Sequence, residues 1–226
     1  MRAIITLCIL WLVHNIINAQ SYILPTAFPF EKVKISGNIH VQFVVSDSML
    51  LQFEGDTIPE QLNIAWSDSI LTLKSPTELN KMPAIQVKLY HTGLSGLEIT
   101  PGALVQSADT LLIHTLSLRV ETGGKAEFAI ATDSLSARVN QGADIILRGF
   151  TRSQLIHAKT AGNFLGYELE AENTWIKAST GAQVKVKSSK FLNASANTTA
   201  FVAYLGMPVH TSFKNGTGGT ITQENQ

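Results

Sequence analysis

Apolar and polar positions alternate along most of the chain, and from Leu97 onward the alternation acquires a longer period. Small residues recur at Gly102, Gly123, Gly142, Ala161, Gly181, Thr199 and Gly218, with spacings of 18 to 21 residues. The next position is always Ala or Gly: Ala103, Gly124, Ala143, Gly162, Ala182, Ala200 and Gly219. Three residues past each small residue stands an apolar one: Val105, Ala126, Ile145, Phe164, Val184, Val202 and Ile221. Five and three before stand pairs such as Leu97/Ile99, Leu118/Val120, Ala137/Val139, Ile156/Ala158 and Ile176/Ala178. Two residues apart on a strand means the same face. Each copy therefore reads as an inward-facing strand, a tight corner and another inward-facing strand. One copy cannot bury its own apolar face, but stacked copies bury a continuous core.

Before the repeat, Val33 and Ile35, a Gly37-Asn38 break, then Ile39, Val41 and Phe43 predict strand, corner and strand. Leu62 to Trp66 and Ile70 to Leu73 flank Ser67-Asp68-Ser69 as a hairpin would, and Ile85, Val87 and Leu89 predict one more strand. No segment keeps a 3.6-residue apolar period. The expected fold is all-β: a right-handed parallel β-helix, or solenoid, with a less regular N-terminal β region over residues 20–93 and repeat coils over 94–226. A β-sandwich also spaces strands regularly, but the longer repeat and the invariant small pair disfavour it. Five threonines precede the corners, at Thr122, Thr160, Thr180, Thr198 and Thr217, and suggest a structural hydroxyl ladder.

Met1 to Ala19 has the form of a secretory signal peptide: Arg2, an apolar run from Ala3 to Val13, and Ala19 at the cleavage point. That run is too short to span a bilayer, which needs about 20 apolar residues, so no membrane span is expected after cleavage. Cys8, the one cysteine, lies inside it. The mature chain must then be stable without disulfides. Lys+Arg and Asp+Glu both number 17, so no net field recruits nucleic acid.

At this point the chain resembles a known family. Phe30 to Val41, Val120 to Gly124, Val202 to Pro208 and Gly216 to Ile221 carry the resemblance. The family is the putative auto-transporter adhesin, head GIN domain, a secreted domain typical of Bacteroidetes-type bacteria. The resemblance implies a β-helical fold and an adhesin-like role in the envelope. It supplies no functional residues to carry over. Thr199, where the family has glycine, is a departure at one corner.

Searching for chemistry yields little. G-x-S-x-G and H-E-x-x-H are absent, and the histidines show no metal-ligand spacing. Gly216 to Ile221 lacks the third glycine of a dinucleotide loop. No catalytic residue, metal or cofactor is expected. Glu168, Glu170 and Glu172 alternate on one face, but paired catalytic carboxylates would need acids on neighbouring coils as well. Asp-Ser/Thr-apolar tripeptides at Asp47, Asp56, Asp68, Asp109 and Asp133 resemble glycosylation acceptors and are also good turn formers. One outward column stands out. Arg119, Arg138, His157 and Lys177 would form a basic ladder, with Trp175 beside Lys177 able to stack on a sugar ring. A surface glycan or another envelope protein is the expected partner. The alternatives are a polysaccharide-active β-helix enzyme and a purely structural periplasmic protein.

Overall fold

A computed structural model describes residues 21–25, 29–54, 57–77, 83–107 and 109–225. The signal segment and Asp56 lie outside the described residues. Every regular element among the described residues is a strand. The early ones are β1 (Ser21–Pro25), β2 (Lys32–Ser36), β3 (Ile39–Val45), β4 (Leu50–Glu54), β5 (Asn63–Ser67), β6 (Ile70–Lys74), β7 (Ile85–His91), β8 (Gly96–Ile99) and β9 (Leu104–Ser107). Long strands follow: β10 (Leu111–Glu121), β11 (Lys125–Asn140), β12 (Asp144–Lys159), β13 (Asn163–Ser179) and β14 (Gln183–Asn197). The chain closes with β15 (Phe201–Leu205), β16 (His210–Asn215) and β17 (Thr220–Gln223). Together they form a β-solenoid of about seven turns, as the repeat predicts, with irregular N-terminal strands.

The coils do not stack in simple chain order at the N-terminal end. β2 lies parallel between β6 and β8, and β3 lies parallel between β7 and β9. The first coil is therefore held between the second and third. Three other strands run antiparallel: β1 beside β4, β4 beside β7, and β5 beside β6. They occupy the strand edges on which a further parallel coil would otherwise add. Asp68 and Ser69, both at positive φ, make the β5–β6 turn that Ser67-Asp68-Ser69 predicts.

The corners explain the small-residue columns. Thr122 and Gly123 both have positive φ (53° and 70°), and the Gly124 N–H donates to the Glu121 carbonyl at 3.1 Å. Two left-handed residues closed by that bond are a type I′ geometry. It recurs at Gln141-Gly142, Thr160-Ala161, Thr180-Gly181 and Thr198-Thr199. Thr199 thus adopts the corner conformation without glycine. The following position is small because it is roofed by the previous coil: a Cβ on Gly162 would stand 2.6 Å from the Val139 carbonyl oxygen. The threonine column does less than the pattern suggests. Thr122 donates to Gln141 Oε1 at 2.7 Å, but the successive corners are joined through backbone bonds, such as Ala161 N–H to Thr180 O and Gly181 N–H to Thr198 O.

Every inward column is buried through the middle coils, from Val33 and Ile35 to Ala194 and Ala196. At the C-terminal end the pattern runs out. Phe213 occupies an inward column but is 44% exposed, since among the described residues its strand pairs only with β14, and it rests on Tyr204 at 5.5 Å between ring centroids. A further corner was not legible in the repeat. Thr132 and Thr151 are buried in neighbouring coils and donate to the Ser134 and Ser153 carbonyls, at 3.2 and 3.0 Å. Ser188 does the same for Phe191. These hydroxyls replace lost ladder bonds where the strand bends.

His91 on β7 is 2% exposed, meets the Phe43 ring edge-on, and neither ring nitrogen has a hydrogen-bond partner among the described residues. Burial holds its pKa below the ordinary 6.5. The unfolded chain takes up a proton as pH falls through 6.5, while the folded chain does not. The contribution of a neutral His91 is thus present above that pH and lost below it. Thermal unfolding should show it. His91→Leu should gain about 1 kcal/mol at pH 7.5, since unpaired buried polar groups cost about 1–3 kcal/mol. Its gain over wild type should widen at pH 5.

Candidate functional site: a basic ladder on one sheet face

The register places the sequence-predicted column as one transverse row. Arg119 pairs with Arg138, Arg138 with His157, and His157 with Lys177. Ser195 and Lys214 continue the row, and Glu98 precedes it. Consecutive rungs are separated by the strand spacing, about 4.8 Å. The row is straight because strand register is parallel and unbroken here, and because the buried residues on either side of each rung lock its face outward.

The four rungs are not equivalent. Arg119 is tied to Glu121 on its own strand at 3.0 Å, and that bond and charge raise its pKa. Glu98 is likewise engaged by Lys34 at 3.4 Å. Arg138 and Lys177 are exposed and make no ion pair among the described residues. Between them His157 is half-buried. Its pKa is lowered by burial first, and then by Lys177, Arg138 and Lys159. The centre of the ladder is therefore a patch of uncompensated positive charge, made of Arg138, Lys177 and Lys159 around a histidine held neutral.

Trp175 is 40% exposed and stands in the next row, where it pairs with Leu155, itself 38% exposed. Its ring lies 5.3 Å from that of Phe191, tilted by 41°. The tryptophan foreseen beside Lys177 is thus on the surface, steadied by an aromatic neighbour that the column argument did not include. Phe191 lies eight residues before Thr199 at a bend, off the regular columns, so periodicity could not assign it. Exposed Leu155, Trp175 and half-buried Phe191 make an apolar strip flanking the cations.

The acidic face has a different character. Glu170 bonds Lys187 at 2.7 Å and Glu172 bonds Lys190 at 2.9 Å, so two of the three alternating carboxylates are held in cross-coil ion pairs. Ser48, Ser69, Thr110 and Ser134 of the Asp-Ser/Thr tripeptides are all exposed. Asp133 of the last one faces His114 and Arg152.

The row lies on an exposed face of a β-solenoid, an architecture whose stacked repeats present extended surfaces. The profile of the putative auto-transporter adhesin, head GIN domain, matches residues 29–208, and the chain belongs to that family. Its fold is similar to the crystal structure of a putative adhesin from Bacteroides fragilis, at 18% identity and a TM-score of 0.77, covering 91% of this chain and 96% of that one. It is also similar to a putative adhesin from Parabacteroides merdae, at 16% identity and a TM-score of 0.64, with the same coverage of both chains. A putative lipid binding protein from Parabacteroides distasonis matches at 12% identity and a TM-score of 0.63, over 92% of this chain and 98% of that one. No curated protein matches significantly. No helix among the described residues is long and apolar enough to cross a membrane.

Proposed function

We propose that this chain is a secreted cell-envelope adhesin without catalytic activity, and that its ladder face binds an anionic surface glycan or a similar acidic polymer. One observation carries the reading: Arg138, His157 and Lys177 occupy consecutive rungs, with no acid among them and Trp175 alongside. A repeating polymer laid across the strands meets a cation on every second rung, Arg138 and Lys177, with neutral His157 between them, and guanidinium is well matched to carboxylate or sulfate. A sugar ring can lie on the exposed indole. Secretion is read from Arg2, the apolar run to Val13 and Ala19. The ion pairs at Glu170 and Glu172 support a solvated face over a hydrolytic site.

Equilibrium binding to immobilised polygalacturonate and heparin tests it. Arg138→Glu with Lys177→Glu should weaken binding about 30-fold or more, each reversal contributing on the order of 1 kcal/mol at an exposed site. Arg119→Glu should matter less, because Glu121 already neutralises that rung. Equal binding by wild type and the double variant would remove the proposal. Release of new reducing ends from either polymer would instead favour the enzymatic alternative.

A further inference from the structure

The N-terminal coils of the solenoid carry a different surface. A pocket of about 490 Å³ lies over the N-terminal coils, against β3, β4, β7 and β9. It is separate from the ladder, which is built on β8, β10, the later parts of β11 to β14, and β16. Four of the chain's eleven glutamines line it: Gln42, Gln52, Gln86 and Gln106.

Register explains how they converge. Gln52 pairs with Lys88 across the antiparallel β4–β7 contact, Lys88 with Gln42, and Gln42 with Gln106. This is one transverse row over four adjacent strands, about 14 Å long at the usual strand spacing. Two residues along, Gln86 pairs with His40 and His40 with Leu104, a second row on the same face. Buried Val41, Phe53 and Val87 form the apolar floor beneath.

Part of the array is already oriented. The Tyr90 hydroxyl donates to Gln52 Oε1 at 2.8 Å, which leaves the amide nitrogen of Gln52 available to donate. The Gln86 amide nitrogen lies 3.3 Å from His40 Nδ1, which pins that amide beside the ring. Gln42 and Gln106 are exposed, and their amides have no protein partner among the described residues. Among the described residues, the full charges lining the pocket are one carboxylate, Glu54, and one ammonium, Lys88, which offset each other.

We infer that this pocket is a second binding site, for an uncharged hydroxyl-rich ligand: a neutral oligosaccharide lying across the strands. Each amide presents donors and an acceptor, and each sugar hydroxyl is both. A row of amides one strand apart therefore matches successive hydroxyls along a saccharide chain. Half-buried Leu104 at the end of the second row offers an apolar patch for the C–H face of a ring. The balanced charge sets this site apart from the ladder, which selects anions.

The test is calorimetric titration of the full mature chain with neutral tetrasaccharides: cellotetraose, maltotetraose, mannotetraose and chitotetraose. At least one should bind with a Kd below about 1 mM, a modest affinity for a few buried hydrogen bonds. Gln42→Ala with Gln106→Ala should weaken it tenfold or more, and thermal unfolding should be unchanged because both side chains are exposed. Arg138→Glu with Lys177→Glu should leave it unaltered, whatever becomes of polyanion binding. The inference is overturned if no neutral tetrasaccharide binds. It is equally overturned if the glutamine variant binds as wild type, or if the ladder variant abolishes the binding.

Discussion

Gly149→Ala should cost about 3–5 kcal/mol, far more than alanine at the left-handed corner glycines Gly123, Gly142 and Gly181, where an added Cβ meets nothing within 4 Å. Gly149 lies within β12 at φ +107°, where the register against β13 shifts. A Cβ there would stand 2.2 Å from the carbonyl oxygen of Ile130, its own ladder partner on β11. The alanine must leave a backbone region almost reserved for glycine, and it must push away a coil fixed on both sides. Gly123 is the internal comparison. It also has positive φ (+70°), but a Cβ there meets nothing within 4 Å. Gly123→Ala should therefore cost only about 1 kcal/mol, the price of a left-handed alanine. In thermal denaturation, Gly149→Ala should melt roughly 6–20 °C lower than wild type, at about 2–4 °C per kcal/mol for a chain of this size. A Gly149→Ala protein as stable as Gly123→Ala would show that β12 can shift freely against its neighbours.

Phe164→Ala should cost about 3–5 kcal/mol, the usual range for a fully buried ring. Phe164 is 0% exposed in the exit column, between Ile145 and Val184 on the adjoining coils. The next inward position on its strand is Gly166, where a Cβ would stand 2.7 Å from the ring's Cε1. Large and small residues here share one slot. Gly166→Ala alone should destabilise by forcing the ring aside, and should cost less in a Phe164→Leu background. A denaturant-based double-mutant cycle should give a coupling of about 1 kcal/mol or more. Simple additivity would mean that the ring and the glycine do not share the slot.

These two sites mark where the sequence was readable and where it was not. The inward columns and the corners were legible because both obey a period: strand alternation within a copy, and about nineteen residues between copies. The outward row Arg119–Arg138–His157–Lys177 followed from the same arithmetic, since a residue between two buried ones on a strand has one place to go. What escaped were features set by contacts between coils. Gly149 is a glycine because of Ile130, and Gly166 because of Phe164, and neither sits in a repeating column. The threonines looked like a hydroxyl ladder, yet most of the coil-to-coil bonding at the corners runs through the backbone. Pairing of β2 with β6 and β8, and of β3 with β7 and β9, seats the first coil between the second and the third, an order that chain sequence alone does not suggest. Within the ladder, Glu121 lies two residues from Arg119 and could have been anticipated as its partner. Phe191, brought beside Trp175 by a bend, could not. The glutamine pocket needed the antiparallel β4, which no periodic reading aligns with β7.

The central claim is that the ladder is a polyanion-binding face, and its most direct measurement is the salt dependence of binding to polygalacturonate. The pertinent cations are Arg138, Lys159 and Lys177, the uncompensated charges around His157. Each contact to a densely charged polymer releases a condensed counterion, so log K should fall linearly with log salt, with a slope of about −2 to −3 for this chain. The slope should drop toward zero in the Arg138→Glu, Lys177→Glu variant. Binding that is indifferent to salt, or no binding at low salt, would contradict the assignment.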